Sequence, residues 1–180
     1  MEYPALRVFK NMKKKFNNDK IKAGIPEYDD IRLRKIFFKC IENLVNNEQV
    51  DDAREILSLI QSEWAKRVSL GEFKKYKATT PDEGMLKGVH YQVGKREGKP
   101  ENLRHELLNF VMTGTLPPVG SPPYYEEWGK PLSTKRYQKL LRVLTAFISK
   151  FKNSENHIQA VSEWSIDKNY VEEKWKEKIS

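Results

Sequence analysis

Residues 29–64 read DDIRLRKIFFKCIENLVNNEQVDDAREILSLIQSEW and contain two amphipathic segments joined by a short polar link. In the first segment the apolar residues recur with the i, i+3, i+4 spacing of one helix face: Leu33, Ile36, Phe37, Cys40, Ile41 and Leu44. The second repeats this spacing through Ala53, Ile56, Leu57, Ile60 and Trp64. Asp29 or Asp30 is the expected N-cap of the first helix. The stretch therefore predicts an antiparallel αα-hairpin.

Further helices are predicted on both sides of this hairpin. A short one is expected around residues 6–16, before the breakers Asn17-Asn18 and Gly24-Ile25-Pro26. Others are expected at 101–113, closed by Gly114, at 133–152, capped by Ser133, and at about 156–176. For residues 81–93 a capping box formed by Thr80 and Glu83 favours a helix. The alternative there is a short strand, because Val89, Tyr91 and Val93 alternate.

Residues 116–131 contain five of the chain's prolines and are expected to form a long irregular loop rather than a helix. The loop carries three aromatic residues, Tyr124, Tyr125 and Trp128, which we call the Tyr/Trp segment. These side chains could bind a partner or stack on nucleobases. The alternative, which we favour, is that they fold inward and fix the connection onto the helices.

These patterns predict an all-α protein, an irregular orthogonal bundle of about five to seven helices with one long Pro/aromatic-rich loop. Residues 1–22 are expected to form a basic N-terminal arm or short helix, and residues 23–180 a single helical domain. A further boundary near 74–79 would separate the acidic hairpin from a C-terminal helical unit.

The charge of the chain is positive and unevenly distributed. The 180 residues include 33 Lys and Arg against 25 Asp and Glu, which gives a net charge of +8. Residues 129–152 hold seven of these cations and no acid, whereas residues 23–65 hold five cations and nine acids. An excess of this size attracts nucleic acid, anionic lipid or acidic protein surfaces, and it also occurs on surfaces that are simply soluble.

The predicted helix at 133–152 concentrates this charge on one face. Lys135, Lys139, Arg142 and Lys150 recur at helical spacing, and Arg136 lies beside them. Such a face could follow the phosphates of a nucleic acid. The alternative is a solvated face whose cations pair with carboxylates of residues 27–63.

A helix-turn-helix interpretation of residues 81–113 is less well supported. It would place Asn102, Arg104, His105 and Asn109 at the start of a recognition helix. The connection is longer than the usual tight turn, so a plain helical pair is favoured.

No catalytic or metal-binding motif is found. Cys40 is the only cysteine, which rules out an intrachain disulfide and suggests a buried thiol. His90, His105 and His157 lack the spacing of zinc ligands, and neither a phosphate-binding glycine loop nor a nucleophile elbow occurs. We therefore expect no enzyme activity, no cofactor and no metal. Without an apolar signal or membrane-spanning run, a cytoplasmic protein with no membrane partner is expected.

The leading functional hypothesis is a non-enzymatic, nucleic-acid-associated accessory protein. Its phosphate contacts would come from Lys135, Arg136, Lys139, Arg142 and Lys150, assisted by Lys13, Lys14 and Lys15 of the N-terminal arm. The alternative is a protein-interaction or scaffold subunit that binds a larger complex or a second copy of the chain. It would do so through the Tyr/Trp segment or the acidic hairpin.

Overall fold

The computed structural model describes residues 18–73 and 84–179. Within these ranges the chain is all-helical, as predicted, with eight α-helices and no strand. The helices are α1 (Asn18–Gly24), α2 (Asp30–Val45), α3 (Val50–Ser69), α4 (Gly84–Gly88), α5 (Glu101–Thr113), α6 (Pro122–Glu127), α7 (Thr134–Phe151) and α8 (Ile158–Trp175). Two single 3₁₀ turns, Ile25–Glu27 and Glu155–His157, precede α2 and α8.

The predicted hairpin is confirmed as α2 and α3, which pack against each other. Asp29 is the N-cap of α2, and its carboxylate accepts the Arg32 N–H at 2.7 Å. The link between the helices turns through Asn47 and Gln49, which both have positive φ angles. Asparagine tolerates this left-handed conformation better than most residues, which suits the Asn-rich link.

The core extends from the hairpin to the C-terminal helices. The packing order runs from α3 to α2, then α5, α8 and α7, and α5 contacts both α2 and α8. At the centre Phe37 contacts Trp64 and Phe110, with ring centroids 5.3 and 4.5 Å apart. Because α5 is buried between two helical pairs, it fixes where α7 and α8 stand relative to the hairpin.

The described part of the N-terminal region is a short helix. Residues 18–24 form α1, so Asn18 begins a helix and the boundary expected near Ala23 lies inside that helix. α1 packs against α3, where Lys22 Nζ lies 2.5 Å from a Glu55 carboxylate oxygen and 3.7 Å from one of Asp52. The helix predicted at 6–16 and the boundary at 74–79 lie outside the described residues.

The prediction that no helix forms in residues 116–131 was wrong, because α6 begins at Pro122. Pro122 and Pro123 occupy its first turn, where backbone N–H groups have no partner within the helix, so the missing donors cost nothing. Ser121 caps this turn by accepting the Tyr124 N–H at 3.4 Å. The prolines therefore start a helix in the middle of the connection.

Residues 84–93 form neither the long helix nor the strand considered for them. α4 ends at Gly88, and His90 follows with a left-handed φ of 61°. The Tyr91 N–H then bonds to the Leu86 carbonyl at 2.9 Å, which closes the helix end. The first part of the predicted helix, residues 81–83, is not among the described residues.

Candidate functional site

α7 carries the largest group of exposed cations that the sequence predicted. Ser133 is its N-cap and accepts the Arg136 N–H at 3.2 Å. Leu140, Val143 and Leu144 are buried against the core, so the opposite side faces solvent. Lys135, Arg142 and Lys150 are exposed there and form no salt bridge with any residue in the described ranges. At 1.5 Å per residue they span roughly 22 Å. We call these three residues the α7 cationic face.

Lys139 lies on the same side but is engaged with α6. Its ammonium is 2.5 Å from a Glu127 carboxylate oxygen, and its side chain is only 11% exposed. The ammonium also lies 5.6 and 6.0 Å from the ring centroids of Tyr124 and Trp128. The hydrogen bond from Lys139 lowers the pKa of Glu127, and the nearby charges of Arg142 and Lys135 lower it further. The Glu127 carboxylate therefore lies within the positive field of this face.

Arg136 is not part of the face, which corrects its predicted role. Its side chain is 2% exposed. The guanidinium donates hydrogen bonds to four backbone carbonyls at distances of 2.6 to 3.4 Å, those of Val111, Gly114, Trp128 and Gly129. Burial lowers the pKa of Arg136 to about 10. This guanidinium links the end of α5 to the start of α7. Because it is buried, a phosphate group cannot reach it.

The carboxylates of the hairpin do not pair with the cations of α7. Their salt-bridge partners among the described residues are Lys22, Arg34, Lys39 and Arg67. Of the cations on α7, only Lys139 forms a salt bridge within the described ranges, and its partner belongs to α6. Lys13, Lys14 and Lys15 lie outside the described residues.

The Tyr/Trp segment packs inward, as the favoured alternative predicted. Trp128 is fully buried. The Tyr124 hydroxyl accepts the Met85 N–H at 3.0 Å, which ties α6 to α4. The Tyr125 hydroxyl donates to the Leu116 carbonyl at 3.3 Å, and burial raises its pKa. These contacts leave little of the three side chains for a partner.

A buried ionic cluster joins α5 to α8 and was not predicted. Arg104 donates two hydrogen bonds to the Asp167 carboxylate, at 2.8 and 3.1 Å, and Tyr91 donates a third at 2.6 Å. Burial and the charge of Asp167 raise the pKa of Tyr91 well above its ordinary value. His105 stacks on Tyr170 with ring centroids 3.7 Å apart. Arg104 and His105, two of the four residues proposed for the start of a recognition helix, are thus used within the fold.

A second unpredicted feature is a pocket of about 310 Å³ at the C-terminal end of α7. Phe147 and Phe151 of α7 line it together with His157 and Trp164, and residues 86–97 close the other side. Phe151 continues the apolar spacing of Leu140, Leu144 and Ile148 along α7. Its neighbours in the pocket come from separate segments, so spacing within one helix could not reveal the cavity.

Other functional chemistry is sparse in the described part of the chain. Residues 18–73 and 84–179 contain no group of three His, Cys, Asp or Glu side chains placed to hold a metal ion. Cys40 is buried, and desolvation raises the pKa of its thiol to about 12. Among the helices described, none combines the length and apolar character that crossing a bilayer requires.

Comparison of the chain with protein-family models, with curated proteins and with solved structures gives no significant match.

Proposed function

We propose that this chain is a non-enzymatic, nucleic-acid-associated accessory protein whose α7 cationic face binds the phosphate backbone. The observation that carries the proposal is the exposure of Lys135, Arg142 and Lys150 on one side of α7 without a salt bridge in the described ranges. Lys13, Lys14 and Lys15 would add contacts from the N-terminal region.

The proposed contact is electrostatic and independent of base sequence. Each cation that neutralises a phosphate releases a condensed counterion, so affinity falls as salt rises. Three contacts on duplex DNA give a slope of about −3 in a plot of log K against log salt concentration. Glu127 reduces the local positive charge and forms a salt bridge with Lys139. We therefore expect Lys139 not to contribute a phosphate contact.

The proposal is tested by fluorescence anisotropy with labelled duplex and single-stranded DNA and RNA over a salt series. The triple variant Lys135→Gln, Arg142→Gln, Lys150→Gln is expected to lose most of the affinity and to flatten the salt slope by about 3. The matched control removes three exposed cations elsewhere, Arg54→Gln, Lys66→Gln and Lys176→Gln, and therefore has the same net charge. Equal losses in the two variants would show that only net charge matters. Absence of binding at low salt would end the proposal.

The alternative of a protein-interaction subunit receives less support from the Tyr/Trp segment, because Trp128 is buried and both tyrosine hydroxyls are hydrogen-bonded within the fold. Light scattering on the purified chain tests self-association directly. A stable oligomer unaffected by the α7 triple variant would favour this alternative.

A further inference from the structure

Aromatic rings form about half of the lining of the pocket at the end of α7, beside aliphatic and polar side chains. Phe151 stacks near-parallel on His157, with centroids 4.4 Å apart, and on Trp164, at 5.7 Å. Phe147 lies 5.2 Å from Trp164. The volume of about 310 Å³ is at the lower end of the range of roughly 300–1,000 Å³ found for small-molecule sites. An aromatic pocket of this size suits a flat ring system.

The pocket is continuous with the α7 cationic face. The Lys150 ammonium, the last cation of that face, lies 5.3 Å from the centroid of the Phe151 ring, which lines the pocket. A polyanion bound along α7 would therefore reach the pocket at its C-terminal end. On the other side of the pocket, Lys87 is exposed and has no salt bridge within the described ranges.

Polar groups of the lining complement the rings. Gln92 donates from its amide to a Glu97 carboxylate oxygen at 2.8 Å, and both side chains line the pocket. An amide and a carboxylate offer donors and acceptors to the polar edge of a base, while the rings contact its apolar face. Lys87 lines the pocket and Lys150 lies against Phe151, so two cations are available near a base bound there.

We infer that the pocket holds one unpaired nucleobase of a single strand whose phosphates lie along the α7 cationic face. The inference rests on the proposed function and narrows it from nucleic acid in general to single-stranded nucleic acid. A base inside a duplex is paired and stacked and cannot enter the pocket, whereas a base in a single strand is exposed.

The test compares two labelled oligonucleotides of about 12 nucleotides with the wild-type chain, one of thymidines and one with abasic sites throughout, because strands of this length match typical single-strand sites. Both strands have the same number of phosphates, so any difference in affinity is due to the bases. The base-bearing strand is expected to bind roughly tenfold more tightly, as one stacked base allows. The same pair in ribose form shows which sugar is preferred.

Two variants test whether the pocket causes the difference in affinity between base-bearing and abasic strands. Phe151→Leu is expected to abolish the difference between base-bearing and abasic strands, whereas Phe38→Leu, which changes a half-buried ring outside the pocket, keeps it. Thermal melting shows whether each variant is folded. Equal binding of base-bearing and abasic strands by the wild type, in both sugars, overturns the inference and leaves the proposed phosphate contact standing. A difference that persists in folded Phe151→Leu also overturns it. No binding of any strand at low salt overturns both.

Discussion

Arg136 is a buried cation that forms no salt bridge within residues 18–73 and 84–179, and its hydrogen bonds go to four backbone carbonyls. Two of these carbonyls end α5, and two belong to the turn between α6 and α7. Buried carbonyls need donors, and the planar guanidinium supplies several at once. Arg136 therefore organises the junction from which α7 starts.

Arg136→Gln is expected to destabilise the fold by about 2–4 kcal/mol, because it leaves several of these carbonyls without a donor. Arg142→Gln, on the exposed side of the same helix, is expected to change the stability by less than about 0.5 kcal/mol. Urea unfolding followed by circular dichroism measures both. Similar stabilities for the two variants would contradict the structural role given to Arg136.

The position of Arg136 could have been predicted from spacing alone. It precedes Leu140 by four residues and Val143 by seven, so it lies on the buried side of α7. Because Arg136 is charged and follows Lys135 in the sequence, it was instead predicted to be an exposed phosphate contact. The carbonyls that accept its hydrogen bonds belong to distant turns, and no local pattern indicates them.

His90 makes the stability of the protein depend on pH. It lies against Phe38, with ring centroids 5.1 Å apart, and its pKa is lowered to about 4 by burial and by the charges of Arg34, Lys99 and Lys35. The unfolded chain, with a histidine pKa near 6.5, therefore binds a proton that the folded chain rejects between about pH 6.5 and 4. Stability is expected to fall as pH decreases through this window.

His90→Asn tests this expectation, because asparagine tolerates the left-handed backbone of position 90 and does not titrate. Unfolding free energies of the wild type and the variant are measured between pH 4 and 7. The decline towards acid is expected to be shallower in the variant. If the free energies of unfolding of the wild type and the variant fall in parallel as the pH decreases, groups other than His90 cause the loss of stability.

At the scale of the element, α8 is held to α5 by charge as well as by packing. Asp167 is fully buried and accepts from Arg104 and Tyr91, so neither the carboxylate nor the guanidinium can be removed alone without cost. Asp167→Ala is expected to cost about 3–5 kcal/mol, because buried Arg104 loses the carboxylate that accepts two of its hydrogen bonds and keeps only the more distant Glu163, at 4.0 Å. Glu173→Ala, an exposed change on the same helix, is the control. A decrease in unfolding free energy of less than about 1 kcal/mol for Asp167→Ala would contradict the role given to Asp167 in holding α8 to α5.

The contact between α6 and α7 sets how many cations α7 presents. Glu127→Gln is expected to release Lys139 and remove one negative charge, which raises affinity for duplex DNA and steepens the salt slope by about one. Glu126→Gln, at an exposed neighbouring position, removes the same charge without freeing Lys139. Anisotropy titrations in a salt series measure the difference. Weaker or unchanged binding by Glu127→Gln would indicate that the phosphates do not approach this end of α7.

The long helices were predictable, whereas the short ones were not predicted with their true bounds: α4 is shorter than the helix favoured at 81–93, and α6 was not predicted. α2, α3, α5, α7 and α8 each have a repeating apolar face and most have a clear start or stop signal, so local sequence is sufficient. α4 and α6 have five and six residues, too few for a periodic pattern. They are held by contacts between distant residues, such as the Tyr124 hydroxyl that accepts the Met85 N–H.

At the scale of the whole molecule, the candidate site was predictable only in part. Lys135, Arg142 and Lys150 are exposed, as their spacing indicated, because a helix places residues seven or eight apart on one side. Lys139 has a partner from α6, and the aromatic pocket joins residues 86–97 to the ends of α7 and α8. Both depend on how separate segments meet, which charge and periodicity do not specify.

Lys13, Lys14 and Lys15 provide the last prediction, since the proposed function makes them a second set of phosphate contacts in addition to the α7 cationic face. Contacts that neutralise different phosphates contribute separately to the salt slope, at about one unit for each. The triple variant Lys13→Gln, Lys14→Gln, Lys15→Gln is therefore expected to flatten the slope by up to about 3 on its own. Combined with the α7 triple variant, it is expected to remove nearly all binding. A slope that matches that of the Arg54, Lys66, Lys176 control would show that these lysines act only through net charge, and the phosphate contacts would then belong to α7 alone.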